Sequence, residues 1–316
     1  MNAQEIIGTQ EKNDWLIDPQ KHADNLPDEA HSLKKILNSS SVQVLQKRYD
    51  RHNNKAITSQ KTYLKQSKRR IYSAAGSIII GAFILYFQGI EVTFKSELTW
   101  LFSIIELILL AITTFYSSIL KNSKSYENWM DSRAQAETIR VKYFSLVAKH
   151  QTDDIDLNKL QLEYFRRYML DVQLNYYDGR GKQHTTHAKK FITSTAILAA
   201  LSVVITTVIA KMGDGDYANS TEIITLFVFI GAVIAALNTV QSQLAMLSED
   251  QRNARRYESV YYQLLDLSGE LDTVREAAEQ GKQNVVDDFI TRTNEVILRE
   301  NQEWQTRRER KPKLKT

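Results

Sequence analysis

Residues 71–90 read IYSAAGSIIIGAFILYFQGI, and residues 98–120 read LTWLFSIIELILLAITTFYSSIL. Each stretch is about as long as an α-helix must be to cross roughly 30 Å of hydrocarbon. Two more of the same kind follow, residues 191–210 (FITSTAILAALSVVITTVIA) and residues 223–240 (IITLFVFIGAVIAALNTV). A buried helix in a large soluble core explains any one of them. Four, paired across short linkers in a chain with little other apolar sequence, read as membrane spans.

The cations around these segments give an orientation. Lys61, Lys65, Lys68, Arg69 and Arg70 precede the first segment, and Lys121 and Lys124 follow the second. Lys182, Lys189 and Lys190 precede the third, and Arg252, Arg255 and Arg256 follow the fourth. The two short loops hold only Lys95 and Lys211 against Glu91, Glu97, Asp214, Asp216 and Glu222. The expected topology is multi-pass in the cell inner (plasma) membrane, with both loops outside and both termini and the central connector in the cytosol. Tyr72, Tyr116 and Phe191 mark inner ends, and Tyr86, Phe87 and Trp100 mark outer ends.

Composition agrees with long helices. The 316 residues include three prolines, Pro19, Pro27 and Pro312, and glycine is scarce. Loop-rich and β-sandwich folds need more of both as turn residues. There is no cysteine, which excludes disulfides, thiol nucleophiles and cysteine-ligated metals. A net charge of +4 is too small to imply nucleic acid, and none is expected as a partner. The first thirty residues carry Glu11, Asp14, Asp18 and Asp24 and no apolar run, so no signal peptide is expected.

The two hairpins repeat one plan. Lys47-Arg48-Tyr49 matches Arg166-Arg167-Tyr168 at an offset of 119 residues, and Arg69-Arg70-Ile71 matches Lys189-Lys190-Phe191 at 120. Arg133, Tyr143 and Leu146 match Arg252, Tyr262 and Leu265 at 119 again. The expected division is a polar N-terminal segment (1–40), a first two-span repeat (41–150), a second (151–280), and a C-terminal helix with a basic tail (281–316). The fold class is all-α: a polytopic membrane protein with two repeated transmembrane helical hairpins and long cytosolic helical extensions. A leading helix starts after Ser39-Ser40-Ser41 and runs unbroken into the membrane. An exit helix continues from the second segment to about His150, and Thr152-Asp153-Asp154 caps the next helix, with Leu157, Leu160, Tyr164 and Tyr168 on one face. Asp178-Gly179-Arg180-Gly181 reads as a turn. Tyr257, Val260, Leu264, Leu267, Leu271, Val274 and Ala278 form a heptad stripe that Gly281 ends. The stripe fits a bundle seam within the chain or an oligomer contact between chains. Val260, Leu264, Leu267, Leu271 and Val274 are therefore candidates for a homo-oligomer seam. A further helix with Phe289, Ile290 and Ile297 leads to Trp304 and the tail Arg307, Arg308, Arg310, Lys311, Lys313 and Lys315.

A basic leading helix, a two-helix hairpin with a short outer loop, and the stretch Trp129…Arg133…Ala136-Glu137…Tyr143 resemble the SLATT families. These are two-transmembrane effector domains associated with SMODS and SLOG proteins, and the DUF4231 group has the same look. The chain is similar to a tandem of two such domains over roughly residues 40 to 300. The resemblance implies a membrane effector of bacterial conflict or antiviral defence, acting beside a nucleotide-sensing partner of SLOG or SMODS type and breaching the membrane when activated.

Motifs for chemistry are missing. There is no phosphate-binding glycine loop and no nucleophile elbow, so the chain is expected to be a non-enzyme without a cofactor. Gly213-Asp214-Gly215-Asp216 lacks the remaining ligands of a calcium loop and reads as a polar outer turn. His184 and His187 have helical metal-ligand spacing but no carboxylate near them in sequence, so no metal is assigned. The informative residue is Glu106, inside the second span. A carboxylate in hydrocarbon is costly and should face protein or water. Ser103, Glu106, Thr113 and Ser117 share its face and are candidates for a pore-lining polar path, which Asn238 and Gln241 extend at the inner end of the fourth span. Thr195, Ala199, Ser202 and Thr206, and Ala232, Ala236 and Thr239, make small-residue stripes suited to helix packing. Lys65, Lys68, Arg69, Arg70, Lys189 and Lys190 are candidates for lipid-headgroup contact with the bilayer. An oligomeric pore competes with a constitutive channel or transporter, and with a membrane scaffold whose helical stalks recruit partners.

Overall fold

The structure is a computed structural model and describes residues 2–90, 94–149, 154–213 and 221–310. All regular structure among the described residues is helical. Three short helices, α1 (Ala3–Ile7), α2 (Pro19–Asp24) and α3 (His31–Leu37), precede α4 (Ser40–Gly89), α5 (Lys95–Asn122) and α6 (Ser125–Ala148). Then come α7 (Ile155–Phe165), a π-helical turn (Arg166–Asp171) and α8 (Val172–Gly213), followed by α9 (Thr221–Ser248), α10 (Asp250–Gly269), α11 (Leu271–Glu279) and α12 (Gln283–Arg310). Four helical stretches, Ser40–Gly89, Lys95–Asn122, Ile155–Met212 and Glu222–Gly269, are long and apolar enough to cross a membrane, which marks a membrane protein.

Caps explain several boundaries. Asn2 accepts from the N–H of Glu5, and Asp18 from that of Lys21 with Pro19 at the first helical position. Asp154 accepts from the N–H groups of Asp156 and Leu157. Thr152, Asp153 and His150, named above with it, lie outside the described residues, as do Glu91, the Asp214–Asp216 turn and the tail from Lys311. The leading helix α4 starts at Ser40 and runs fifty residues without a break, as its sequence predicts.

Two expectations are corrected, and the heptad stripe takes the first of its two readings. The helix of the second span does not run unbroken to about residue 150, because Lys124 adopts a left-handed φ of 47° between α5 and α6. Asp178-Gly179-Arg180-Gly181 is helix, not a turn. Gly181 is buried there, and a Cβ on it would stand 3.7 Å from the Cβ of Tyr257, in ordinary van der Waals contact, so α10 packs on α8 at this residue. An ion pair of Lys182 with Asp178 at 2.7 Å supports the same turn of helix. The heptad stripe is split at Glu270 into α10 and α11, and all seven of its residues are buried within the chain. Its candidate oligomer seam, Val260, Leu264, Leu267, Leu271 and Val274, is thus an intramolecular seam.

The chain divides into two compact units, each assembled from discontinuous segments. The core unit comprises Met1–Ser59, Tyr126–Gln183 and Arg252–Thr316. Its apolar centre gathers Leu33, Leu37, Phe144, Leu160, Phe165, Leu264, Phe289 and Ile290. The segment before α4 is not merely polar: Ile7, Ile17, Leu26, Leu33, Ile36 and Leu37 are buried in that centre. The membrane unit comprises Gln60–Ser125 and His184–Gln251, and holds all four apolar segments.

Candidate functional site

In the membrane unit, small residues set how closely helices meet. Gly76 of α4 faces Leu109 of α5, and Gly81 faces Glu106, where a Cβ would lie 3.0 Å from the carboxylate Oε1. The absence of a side chain at Gly81 is what lets the Glu106 carboxyl group lie against α4. Further along this seam the Oγ of Ser73 and the Oγ1 of Thr113 are 2.8 Å apart, and Thr113 also donates to the Leu109 carbonyl. Ser103 donates to the Thr99 carbonyl at 2.8 Å. Ser117 donates to the Thr113 carbonyl but is exposed, so it does not share the seam.

The other two candidate pore residues belong elsewhere. Gln241 of α9 accepts from Ser194 at 2.8 Å and from Thr195 at 3.5 Å, both on α8. Asn238 is half-buried and its Oδ1 is enclosed without a hydrogen-bond partner among the described residues. Between α4 and α9 the contact is aromatic and tight: Phe83 lies 4.4 Å from Phe229, and a Cβ on Gly89 would overlap the side chain of Thr225. Of the six residues, Glu106 and Thr113 meet α4 across the α4–α5 seam, and Gln241 meets α8 across the α8–α9 seam. Of the candidate lipid contacts, Lys65, Lys68, Lys189 and Lys190 are exposed. Arg69 donates to the Tyr116 hydroxyl and stands over its ring, and the half-buried Arg70 donates to Gln243 at 3.4 Å.

In the core unit, helical spacing gathers buried charge. Glu137 of α6 pairs with Arg133 at 2.7 Å, one turn before it, and with Arg140 at 3.2 Å, one turn after. Arg140 donates to the Tyr49 hydroxyl and its guanidinium lies 5.1 Å from that ring, which joins α6 to α4. Burial works to raise the Glu137 carboxyl, but Arg133 and Arg140 outweigh it and hold it below the usual carboxylate range. Tyr143 and Tyr164 share a hydroxyl contact of 2.8 Å, and Tyr164 meets Nδ1 of His22 at 2.7 Å. Between Trp129 and Tyr143, Ala136, Glu137, Arg140 and Tyr143 are buried while Gln135 and Lys142 are exposed.

The same unit holds the N-terminal segment by its backbone. Arg166 and Arg167, adjacent in the π-helical turn, donate to the carbonyls of Gly8 and Ile7 at the end of α1. Arg167 also pairs with Asp14 at 2.8 Å, and Glu163, buried, accepts from Arg166 and from Arg275 of α11. His22 stacks on Tyr168 with ring centroids 4.0 Å apart. Burial lowers its pKa to about 4, with Asp14 and Asp18 opposing and Arg167 and Lys21 adding to the shift. Sequence reading missed this clasp. Its signal was the apolar spacing Leu33, Ile36 and Leu37 inside a segment that is otherwise charged.

His184 and His187 do meet a carboxylate that their sequence neighbourhood lacks. Nδ1 of His184 lies 2.6 Å and Nδ1 of His187 lies 3.9 Å from Oδ1 of Asp250, and Ser248 donates to Oδ2 at 2.6 Å. The contact pins α8 beside Glu249, whose left-handed φ of 49° separates α9 from α10. Among the described residues, no three His, Asp or Glu groups are arranged to hold a metal ion. Comparison of the chain with protein-family models, with curated proteins and with solved structures finds no match.

Proposed function

We propose that the protein is a membrane effector that assembles and forms a pore or disrupts the inner membrane after a cytosolic signal. It acts without catalysing a reaction. One observation carries this: the helix that enters the membrane unit is the helix that closes the core unit. The uninterrupted α4 supplies Tyr49 to the Arg140 contact and Gly81 to the Glu106 contact. A ligand or partner that repacks the core unit therefore acts on a helix that also carries a membrane seam. A duplicated plan supports the same reading. Helices α5 and α9 each span twenty-eight residues, and each ends one or two residues before a left-handed break at a non-glycine, Lys124 and Glu249. In this reading both termini and the core unit lie in the cytosol, and a nucleotide-sensing protein supplies the signal.

The test is expression in bacteria, with and without the neighbouring genes, while membrane potential is followed. Depolarisation that needs the signal supports the effector. Ion flux without any trigger would instead favour a constitutive channel, and an unchanged potential under every condition would sink both.

A further inference from the structure

With the heptad stripe consumed inside the chain, assembly needs another surface, and two exposed charged faces of opposite sign supply one. Helix α4 carries nine Lys and Arg residues and a single acid, Asp50. In its core-unit portion Lys47, Arg51 and Lys55 recur every four residues with Arg48 beside them, so they share one face. All four are exposed, and none forms an ion pair among the described residues. Residues 257–281 show the converse, with six acids against Arg275 alone. On α10 the exposed Glu258 and Asp266 flank Tyr262, 54% exposed, and Leu265, 41% exposed, at helical spacings of four and three. On α11 the exposed Asp272, Glu276 and Glu279 share a second acidic face. Glu258, Asp266, Glu276 and Glu279 form no ion pair among the described residues.

Anionic lipid does not account for the basic face. Lys55 precedes Ile71 by sixteen residues, about 24 Å of helix, while headgroup charge is screened within about 10 Å. The acidic face, with an apolar centre and a charged rim, has the composition of a protein contact, and its charge complements α4. We infer that the Lys47–Lys55 face of one copy docks on the Glu258–Asp266 face of α10 in a second copy, with the acids of α11 extending the rim. The two faces differ, so the contact is head-to-tail, and repeated copies close into a ring or extend as a chain. This rests on the assembling effector proposed above and names the surface it uses.

Two charge-reversed proteins test it: Lys47→Glu, Arg51→Glu, Lys55→Glu in one, and Glu258→Lys, Asp266→Lys, Glu276→Lys in the other. Mass is measured by light scattering in detergent, and folding is checked by helical content and melting temperature. Each reversed protein alone should fold but dissociate, with assembly weakened on the order of tenfold or more, and wild-type assembly should weaken as salt rises. Mixing the two should restore assembly, since each then offers the face the other needs. Folded, dissociated variants that do not recover on mixing would overturn the contact and point to a different polyanion, anionic vesicles and single-stranded nucleic acid being the probes. Wild-type mass in both variants would also overturn it, yet would leave the effector reading intact with assembly through the membrane helices. A wild-type protein that stays monomeric while still depolarising cells would overturn assembly itself.

Discussion

Acidification should loosen the N-terminal clasp, and the size of the effect follows from His22. The ring is 5% exposed, is stacked on Tyr168, and meets the Tyr164 hydroxyl at 2.7 Å. In the folded chain it takes up its proton only near pH 4, against 6.5 when unperturbed. Between these values the unfolded segment binds more protons than the folded one. Stability is therefore fully present above about pH 6.5 and is lost as the pH falls toward 4. At about 1.4 kcal/mol per pH unit, the whole interval amounts to about 3 kcal/mol, and the part above pH 5 to about 2 kcal/mol. Hydrogen exchange over residues 2–37, corrected for intrinsic rates, reads the opening free energy of the clasp directly. It should fall by about 2 kcal/mol from pH 7 to pH 5. His22→Phe keeps a ring on Tyr168 and leaves Tyr164 its contact with Tyr143, so its exchange should be flat over that range. Equal losses in wild type and His22→Phe would refute the assignment of the acid sensitivity to His22.

Placing Asp at Leu264 and Leu267 together should unfold the core unit rather than dissociate an assembly, since both are buried within the chain and each contributes about 1.5–3 kcal/mol. Retained helical content with a lower mass in detergent would contradict the intramolecular seam. For Glu106, liposome flux under the activating signal should persist in Glu106→Gln with weaker cation preference. Wild-type selectivity in Glu106→Gln would confine the residue to packing against Gly81. Reporter fusions at residue 1, near Gly179 and at residue 316 should report inside and one near Gly215 outside, and an outside report at Gly179 would break both the topology and the duplication.

The four apolar segments were legible because span length and charge exclusion are properties of single helices. The helices themselves were legible for the same reason, including the unbroken α4 and the face of Leu157, Leu160, Tyr164 and Tyr168. What failed depended on tertiary contact. Gly179 and Gly181 cost about 1 kcal/mol each in a helix and suggest a turn, yet Gly181 is buried in van der Waals range of Tyr257, a packing that no local pattern shows. Lys124 and Glu249 carry no breaker signature, since neither is glycine or asparagine. The candidate pore face mixed seam and surface because periodicity shows which residues share a side, not what that side meets. Asp250, sixty-six residues after His184, is out of reach of any local pattern.

The joints between the two units carry the mechanical side of the proposal. The chain passes between core unit and membrane unit four times. Two crossings, at Ser59–Gln60 and Gln183–His184, lie inside the uninterrupted helices α4 and α8. The other two, at Ser125–Tyr126 and Gln251–Arg252, come directly after the left-handed Lys124 and Glu249. A non-glycine residue in that conformation costs about 1–3 kcal/mol, and such strain persists only where the surroundings hold it. Continuous helices transmit displacement, whereas a one-residue break lets the helix beyond it change direction at the expense of a single pair of dihedrals. An effector that must hold its membrane helices in one arrangement and release them into another needs both kinds of joint. One of each accompanies each hairpin, and at Glu249 the 2.6 Å contact of Asp250 with Nδ1 of His184 fastens the break to α8. The stretch of α6 that holds the Glu137 and Arg140 pair lies just beyond the other break, and both residues are buried. Its residues specify how the core unit closes, so a signal would be felt there as repacking rather than as chemistry.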